Sequence, residues 1–381
     1  MSKSQHRAWA TIDLQALKKN LGQVRSRCPG SRIVPVIKAN AYGHGMEAVA
    51  RTLRESNTKL AGFAVATLDE ALQLHELNLG IPIVLLAGFT NAEELLECLE
   101  RKIEPVVHSL HQLQVLQNRF DEDFFAGNRK VWIMHNSGMN RLGFSTGACL
   151  EAFPAIHRYP DTELVLMSHL ACADDLESKH SRDFTYKQMA EFNAVRQRLM
   201  QITDSVVDCS LAASAGILNL PETHYQYVRP GIMLYGSSPM LDATGEDSGL
   251  EPVMTLKARL MAINEVKAGG AIGYGARHVC QQHTKVGVVS IGYADGYPRA
   301  AADGTPVIVH SQGQALRTRI IGRVSMDMIT IDLTGMDQVQ IGDEVTLWGT
   351  GLSADEVARY AGTIAYELFC NLKQRVPVEY V

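Results

Sequence analysis

Up to about residue 235, apolar residues fall into short continuous runs, separated by longer stretches in which they recur every three or four positions. The runs at 33–37, 62–66, 82–87, 103–107, 131–134, 164–168, 206–209 and 226–229 read as strands buried on both faces. The stretches between them read as amphipathic helices. Thr67-Leu68-Asp69-Glu70 is a capping box opening a helix through Leu72 and Leu77, and Asn91 through Leu99 and about Ser181 to Met200 give two more. Eight strand–helix units in one block are the arithmetic of a (β/α)8 barrel. An open doubly wound sheet is the rival, and periodicity alone does not remove it.

Ahead of this block, Trp9-Ala10-Thr11-Ile12 reads as a strand, and Asp13 as the cap of a helix carrying Leu14, Leu17, Leu21 and Val24 on one face. That strand is surplus to the eight, so residues 1–12 are free to pair outside the barrel. The Ser-, Pro- and Gly-rich segment Ser237 to Leu250 marks a boundary, giving a barrel domain over 1–240 and a second domain over 241–381. Beyond it the pattern changes to alternating or β-branched runs at 255–263, 285–291, 306–309, 316–321, 328–333 and 344–348, with Gly and Asp turns between. Only Ser353-Ala354-Asp355-Glu356 clearly caps a helix there, so the second domain is expected to be mainly β.

Composition narrows the class. At 381 residues the chain exceeds one ordinary core, and 46% hydrophobic with 20% charged residues is usual for a soluble globular protein. A net charge of -5 gives no field for nucleic acid or anionic membranes. The start, Met1 to Arg7, has no apolar signal region and no run is long enough to span a bilayer, so a cytoplasmic location is expected. Cys28, Cys98, Cys149, Cys172, Cys209, Cys280 and Cys370 are scattered without a CxxC pair, which fits free thiols and no metal centre.

Chemistry gathers at the C-terminal ends of the expected strands, where a barrel carries its active site. Lys38 follows the first, in Lys38-Ala39-Asn40-Ala41-Tyr42-Gly43-His44-Gly45; a partly desolvated amine there loses its proton readily and can act as a nucleophile. Arg141 follows the fifth strand, Ser168-His169 the sixth, Ser210 and Ser214 the seventh, and Arg229-Pro230-Gly231-Ile232 the eighth. Free amides after the last two strands suit a phosphate. Singly, each residue has an ordinary reading: a snorkelling lysine, a core histidine, surface ion-pair arginines, a helix-capping serine. Together they suit a phosphate-bearing cofactor attached through a lysine, namely pyridoxal phosphate.

Over nearly its whole length the chain resembles the alanine racemase family. The similarity rests on Trp9-Ala10-Thr11-Ile12-Asp13-Leu14, Lys38 to Gly45, Gly138-Met139-Asn140-Arg141-Leu142-Gly143, Ser168-His169 and Val228 to Gly236. It continues through Gly273-Tyr274-Gly275, Gly292-Tyr293-Ala294-Asp295-Gly296 and Gly322 to Asp327, all in order. The resemblance implies a pyridoxal phosphate barrel, a β domain and a homodimer with shared active sites, acting on a small amino acid. It implies that Lys38 holds the cofactor and is the base on the D side, while Tyr274 of the partner subunit is the base on the L side. Arg229 then faces the pyridine nitrogen, with His169 orienting it. Tyr42, Ser214, Gly231 and Ile232 take the phosphate. Arg141 and the Met326 amide hold the substrate carboxylate, and Asp174, Tyr293, Arg299 and Arg323 line a narrow entrance. Racemisation needs a base on each face of Cα. A tyrosine with a reference pKa of about 10 then needs nearby cations, for which His169 and Arg229 are the candidates. Read without the family, Tyr274 is equally an ordinary turn tyrosine.

Two positions depart from the family. Many members carry a carbamylated lysine seven residues before the carboxylate-binding arginine; here that residue is Met134, so Arg141 is held another way, by Asn136 or a bound chloride. Gln374 stands where some relatives have a phosphate-binding tyrosine. The function expected is interconversion of L- and D-alanine, supplying D-alanine for peptidoglycan. A broader amino-acid racemase and a non-catalytic pyridoxal phosphate carrier are the alternatives; the long second domain and Tyr274 speak against the carrier.

Overall fold

The computed structural model describes residues 6–121 and 129–381. A first strand, β1 (Ala8–Ile12), precedes eight more: β2 (Arg32–Ile33), β3 (Phe63–Val65), β4 (Ile83–Leu85), β5 (Ile103–Val107), β6 (Arg129–Met134), β7 (Thr162–Met167), β8 (Asp208–Ala213) and β9 (Tyr227–Arg229). These eight pair in parallel in the order β2-β9-β8-β7-β6-β5-β4-β3. The two outer strands then meet. Ile33 bridges Leu60 and Val36 bridges Ala64, and Ile37 N donates to Ala64 O at 2.9 Å. Curling joins the sheet's edges, leaving the (β/α)8 barrel rather than the open rival. Strand residues such as Val84, Val106, Ile133, Val165 and Val228 are almost wholly buried, as a sheet covered on both faces requires.

Two barrel-strand bounds depart furthest from expectation, for local reasons. The first is shorter than 33–37, because Pro35 offers no amide to the ladder and the chain must turn sharply at Lys38. The seventh runs on to Ala213 through Ser210, whose hydroxyl donates to Tyr227 O at 3.0 Å.

The second domain comprises β10 (Met254–Val266), β11 (Ala271–Ile272), β12 (His278–Val279), β13 (Thr284–Val289), β14 (Pro306–Ser311), β15 (Gln314–Arg319), β16 (Ile329–Asp332), β17 (Glu344–Trp348) and β18 (Val378–Tyr380). Strand β10 is long enough to pair antiparallel with β1, β13 and β17. Strand β1 therefore lies in this sheet, flanked on its other side by β18 in parallel. A separate ribbon of β11 and β12 projects the turn that carries Tyr274. The helix opened by Ser353 forms (Ala354–Tyr360), and a second short one, Ala365–Cys370, was not legible because it spans too few residues to show a helical period.

One hydrophobic core runs through both domains, from Leu17, Val65 and Val228 to Tyr235, Leu256, Trp348 and Leu368. Buried Asp355 fastens the connecting segment to the second domain. It accepts from the amides of Ser238 at 3.0 Å and Gly245 at 2.9 Å, and from the hydroxyls of Ser237 and Ser353.

Candidate active site

The chain reverses its handedness at Lys38. Ala39, Asn40, Ala41 and Tyr42 all have φ between 52° and 54°, and Gly43 follows at 76°. A left-handed turn costs non-glycine residues roughly 1–2 kcal/mol each, so neighbours must hold it. Ala41 N donates to Ile37 O at 2.8 Å and Gly43 N to Ala39 O at 2.9 Å. Glu70, the acid of the capping box on Thr67, also accepts from Ala39 N at 2.6 Å. Asn40 Oδ1 accepts from Met46 N at 2.8 Å and so caps the following helix, Met46–Arg54. The ring of His44 lies fully buried beneath, its Nδ1 donating to the carbonyls of Ala41 and Tyr42. Burial pushes the His44 pKa down to about 4, which keeps it neutral.

This turn leaves the Lys38 amine where burial lowers its pKa, helped by the Arg141 charge and opposed by Glu70. Beside it, Arg229 is almost completely buried at the end of β9. Its Nη1 donates to Ser210 O at 2.9 Å and Ser210 Oγ at 2.5 Å, and its Nη2 to Ser168 O at 2.7 Å and Leu211 O at 3.4 Å. None of these four bonds uses Nε. Burial lowers the Arg229 pKa only to about 10, so the guanidinium stays charged at neutral pH. The groups that orient it are thus Ser168, Ser210 and Leu211. His169 is a near neighbour whose pKa is driven down to about 3, first by burial and then by Arg229, Arg141 and Lys38. It is therefore neutral, and of the two cations expected near a tyrosine base only Arg229 carries charge.

The sequence-predicted phosphate residues converge. Ser214 Oγ accepts from Gly231 N at 2.9 Å and Met233 N at 3.4 Å, which leaves its own proton to donate elsewhere. The Tyr42 hydroxyl faces the same backbone: a Cβ on Gly231 would stand 2.7 Å from it. Tyr42 is wedged between Tyr235, with ring centroids 4.9 Å apart, and Tyr366 at 5.8 Å. Ile232, fully buried, opens the next turn. Two hydroxyls around a backbone that admits no side chain form a cradle for an anion of phosphate size, so the residues present fit pyridoxal phosphate.

Arg141 is exposed, and among the described residues it makes no hydrogen bond or ion pair. Its loop is stiff nonetheless. Asn136 Oδ1 accepts from Gly138 N at 3.1 Å and Asn140 N at 3.0 Å, and the base is closed by Phe144 N to Met134 O at 2.8 Å. Met134 itself packs against the core.

The remaining candidates sit on the second domain. Tyr274 is 71% exposed and Met326 54% exposed, and Tyr293 and Arg299 are exposed too. Arg323 lies beside the Tyr274 turn, its Nη1 3.6 Å from where a Cβ on Gly275 would be. The Tyr293 and Met326 loops are bonded together, Tyr293 N to Ser325 O at 3.1 Å and Ala294 N to Met326 O at 2.9 Å. Buried Asp295 anchors them through Arg7 and through Arg375, whose Nη2 also reaches Asp327 at 2.7 Å. Arg375, next to Gln374, is thus committed to this anchor. Asp174 is exposed on the barrel side, close enough to raise the pKa of Tyr366, though burial is the larger cause.

Sequence reasoning missed Glu70 as a support of the lysine turn, and Tyr366 and Cys370 as neighbours of Tyr42 and Lys38. The capping box gave a signal for Glu70, but the other two lie on the short helix that no periodicity revealed. A cavity of about 550 Å³ opens at the other end of the barrel, lined by His75, Asn78, Arg101, Lys102, Arg129 and Glu163 among others. None of the candidate residues reaches it, and convergent chemistry outweighs volume in locating the site.

Models of the alanine racemase N-terminal and C-terminal domains match residues 12–239 and 253–380. The chain is 44% identical over 370 residues to the alanine racemase of Nitrosomonas eutropha, 97% of each chain. The biosynthetic alanine racemase from Pseudomonas aeruginosa matches with a TM-score of 0.89 and 38% identity, over 99% of this chain and 100% of that one. The alanine racemase from Bartonella henselae, described with covalently bound pyridoxal phosphate, matches at 0.84 and 29%, with 99% and 100% covered. With a lysine, two arginines and a pair of hydroxyls around Gly231 at one barrel mouth, and with both domains accounted for by these matches, the chain belongs to the alanine racemase family.

Proposed function

We propose that the protein interconverts L- and D-alanine with pyridoxal phosphate attached to Lys38. The observation that carries this reading is the Lys38 amine, lowered in pKa by burial and held by a left-handed turn beside the cradle of Tyr42, Ser214 and Gly231. Bound there, the cofactor withdraws electrons from the substrate and makes its Cα proton acidic. The chain's own residues do the rest. Tyr42, Ser214 and the Ile232 amide would hold the phosphate, with Gly231, whose own amide donates to Ser214 Oγ, leaving room for it by lacking a side chain. The Nε of Arg229, which none of its four anchoring bonds uses, would be free to meet the pyridine nitrogen. Because arginine keeps its proton, that nitrogen would stay unprotonated and electron withdrawal weak, which would disfavour transamination.

Arg141 clasps the substrate carboxylate with a guanidinium that no other group occupies among the described residues. Lys38 removes or returns the Cα proton on the D side. The opposite face is served by Tyr274 of the partner subunit in a homodimer, with Met326, Tyr293, Arg299 and Arg323 arriving beside it and Asp174 completing the entrance. Exposure of Tyr274 and Met326 on the single chain supports that division. D-alanine made in the cytoplasm would supply peptidoglycan.

A broader amino-acid racemase is the second reading, favoured by one observation: apolar Met134 stands where many relatives place a charged support for the carboxylate arginine. The test is incubation of the purified protein with L-alanine in deuterium oxide, following Cα exchange and D-alanine by chiral chromatography, with L-serine and L-lysine in parallel. D-alanine formation lost in Tyr274→Phe is the expected result. A cofactor-bound protein forming no D-amino acid from any of the three refutes racemisation and leaves the carrier.

A further inference from the structure

We infer that Gln188 is a positioning residue for the substrate carboxylate, acting through the loop that carries Arg141; this rests on the racemase reading above. Gln188 lies on the long helix Lys179–Thr203 and is 1% exposed. Its Oε1 accepts from Ala171 N at 2.9 Å, and its Nε2 donates to His169 O at 3.1 Å and to Ser137 Oγ at 3.3 Å. The backbone amide of Ala171 can only donate and the His169 carbonyl can only accept, so the side-chain amide has one allowed orientation.

The hydroxyls beyond it are ordered too. Ser168 Oγ donates to His135 O at 2.7 Å, which uses its single proton. The 2.8 Å contact between Ser137 Oγ and Ser168 Oγ must then be donated by Ser137, whose lone pair is left to accept from Gln188. A one-way relay results: Gln188 to Ser137 to Ser168 to the His135 carbonyl. All three of its side chains are buried.

The relay spans the parts of the site that must agree in position. Ser137 belongs to the Arg141 loop, and the next residue, Gly138, sits at φ 143° directly over the helix: a Cβ there would be 3.3 Å from Gln188 Cγ and 3.4 Å from Phe184 Cζ. Ser168 presents its carbonyl to Arg229 Nη2 at 2.7 Å. Gln188 thus fixes the carboxylate loop against the same strand end that orients Arg229. With an apolar Met134 on β6, this neutral relay from the helix side, together with Asn136 inside the loop, supplies the support for Arg141.

The test compares wild type, Gln188→Ala, Gln188→Glu, Ser137→Ala and the Gln188→Ala/Ser137→Ala double variant as holoenzymes. Steady-state kinetics with both alanine enantiomers, cofactor content, Tm and deuterium uptake of the 136–143 segment are read together. Loss of one buried donor predicts a KM for alanine raised about tenfold in both directions, kcat within about threefold, unchanged cofactor content, and faster exchange in the loop. Gln188→Glu keeps the length but loses the donor, so it should resemble or exceed Gln188→Ala; the double variant should be no worse than the larger single.

An unchanged KM, a Gln188→Glu enzyme that behaves as wild type, or strictly multiplicative effects in the double variant would overturn the assignment. If Gln188→Ala fails to fold, Gln188→Glu and Ser137→Ala still decide it. A wild-type protein that does not racemise alanine refutes the racemase reading itself, whereas an active wild type with an indifferent Gln188 refutes only this step.

Discussion

Gly231→Ala probes the phosphate cradle, because Gly231 lies against both of its hydroxyls, those of Tyr42 and Ser214. What an alanine there meets first is Tyr42. The new Cβ would stand 2.7 Å from the Tyr42 hydroxyl, against 3.4 Å for the near edge of ordinary contact, so the hydroxyl must retreat by about 0.7 Å. It has little room, with the Tyr235 ring 4.9 Å and the Tyr366 ring 5.8 Å from its own ring centre. Overpacking of this kind costs about 1–3 kcal/mol. If the displaced hydroxyl is one of the phosphate donors, most of that cost should fall on the bound state, weakening cofactor binding about 10- to 100-fold.

Calorimetric titration of the cofactor-free protein with pyridoxal phosphate measures this directly. The second half of the cycle is Tyr42→Phe, which removes the clashing oxygen and leaves Cζ at 3.5 Å, an ordinary contact. Gly231→Ala should then cost less in the Tyr42→Phe background than in wild type. A Gly231→Ala protein that binds within twofold of wild type, or a double variant showing the full product of both losses, would refute the cradle.

Three further outcomes are expected. Asn136→Ala removes the acceptor of two loop amides, a loss of about 1–2 kcal/mol, and should raise the KM for alanine roughly 5- to 30-fold while sparing kcat; an unchanged KM assigns the loop's rigidity elsewhere. If each site joins Lys38 of one subunit to Tyr274 of the other, mixing inactive Lys38→Ala with inactive Tyr274→Phe and allowing exchange should restore about a quarter of wild-type activity, and no recovery would place both groups on one chain. Acid should destabilise the cofactor-free protein early. His44 and His169 have folded pKa values near 4 and 3, below the unfolded value of about 6.5. Their contribution is therefore complete above about pH 6.5 and is lost as pH falls through the folded values. For fully buried His44 this amounts to about 3 kcal/mol by pH 4. Urea midpoints measured between pH 7 and pH 4 should fall accordingly, and a flat profile would contradict the neutral burial of both rings.

The barrel was legible because strands buried on both faces must be continuously apolar, and such runs stand out against the helical period between them. The second domain was legible for a related reason, its alternating strands lying between Gly and Asp turns. The lysine turn was not. Ala39 and Ala41 give no sign of positive φ; their handedness is imposed from outside by Glu70 and His44, and within the turn Asn40 and Gly43 are the residue types that hint at it. Lys38, Tyr42, Ser214 and Gly231 could be grouped from strand ends, since a barrel's topology brings those ends together whatever the sequence distance. The partners of Arg229 could not, because Ser168 and Leu211 contribute backbone carbonyls, which carry no residue-type signal. The neutrality of His169 is likewise a consequence of burial beside cations that only three dimensions reveal.

The lysine turn has one more property, which concerns the order in which the protein is made. Its two glycines are covered by residues from the far end of the sequence: the Phe369 carbonyl lies 2.3 Å from where a Cβ on Gly43 would be, and the Tyr380 hydroxyl 1.9 Å from one on Gly45. Strand β1, which precedes the barrel in sequence, pairs among the described residues with β10 and β18, which are translated long after it. A ribosome that has released the barrel segment alone has therefore delivered the turn and its supports Glu70 and His44, without the second-domain residues that cover its glycines. A chain terminated before Phe369 should therefore hold the cofactor less well than one that reaches Tyr380, and cofactor retention becomes a check on whether the second domain was made.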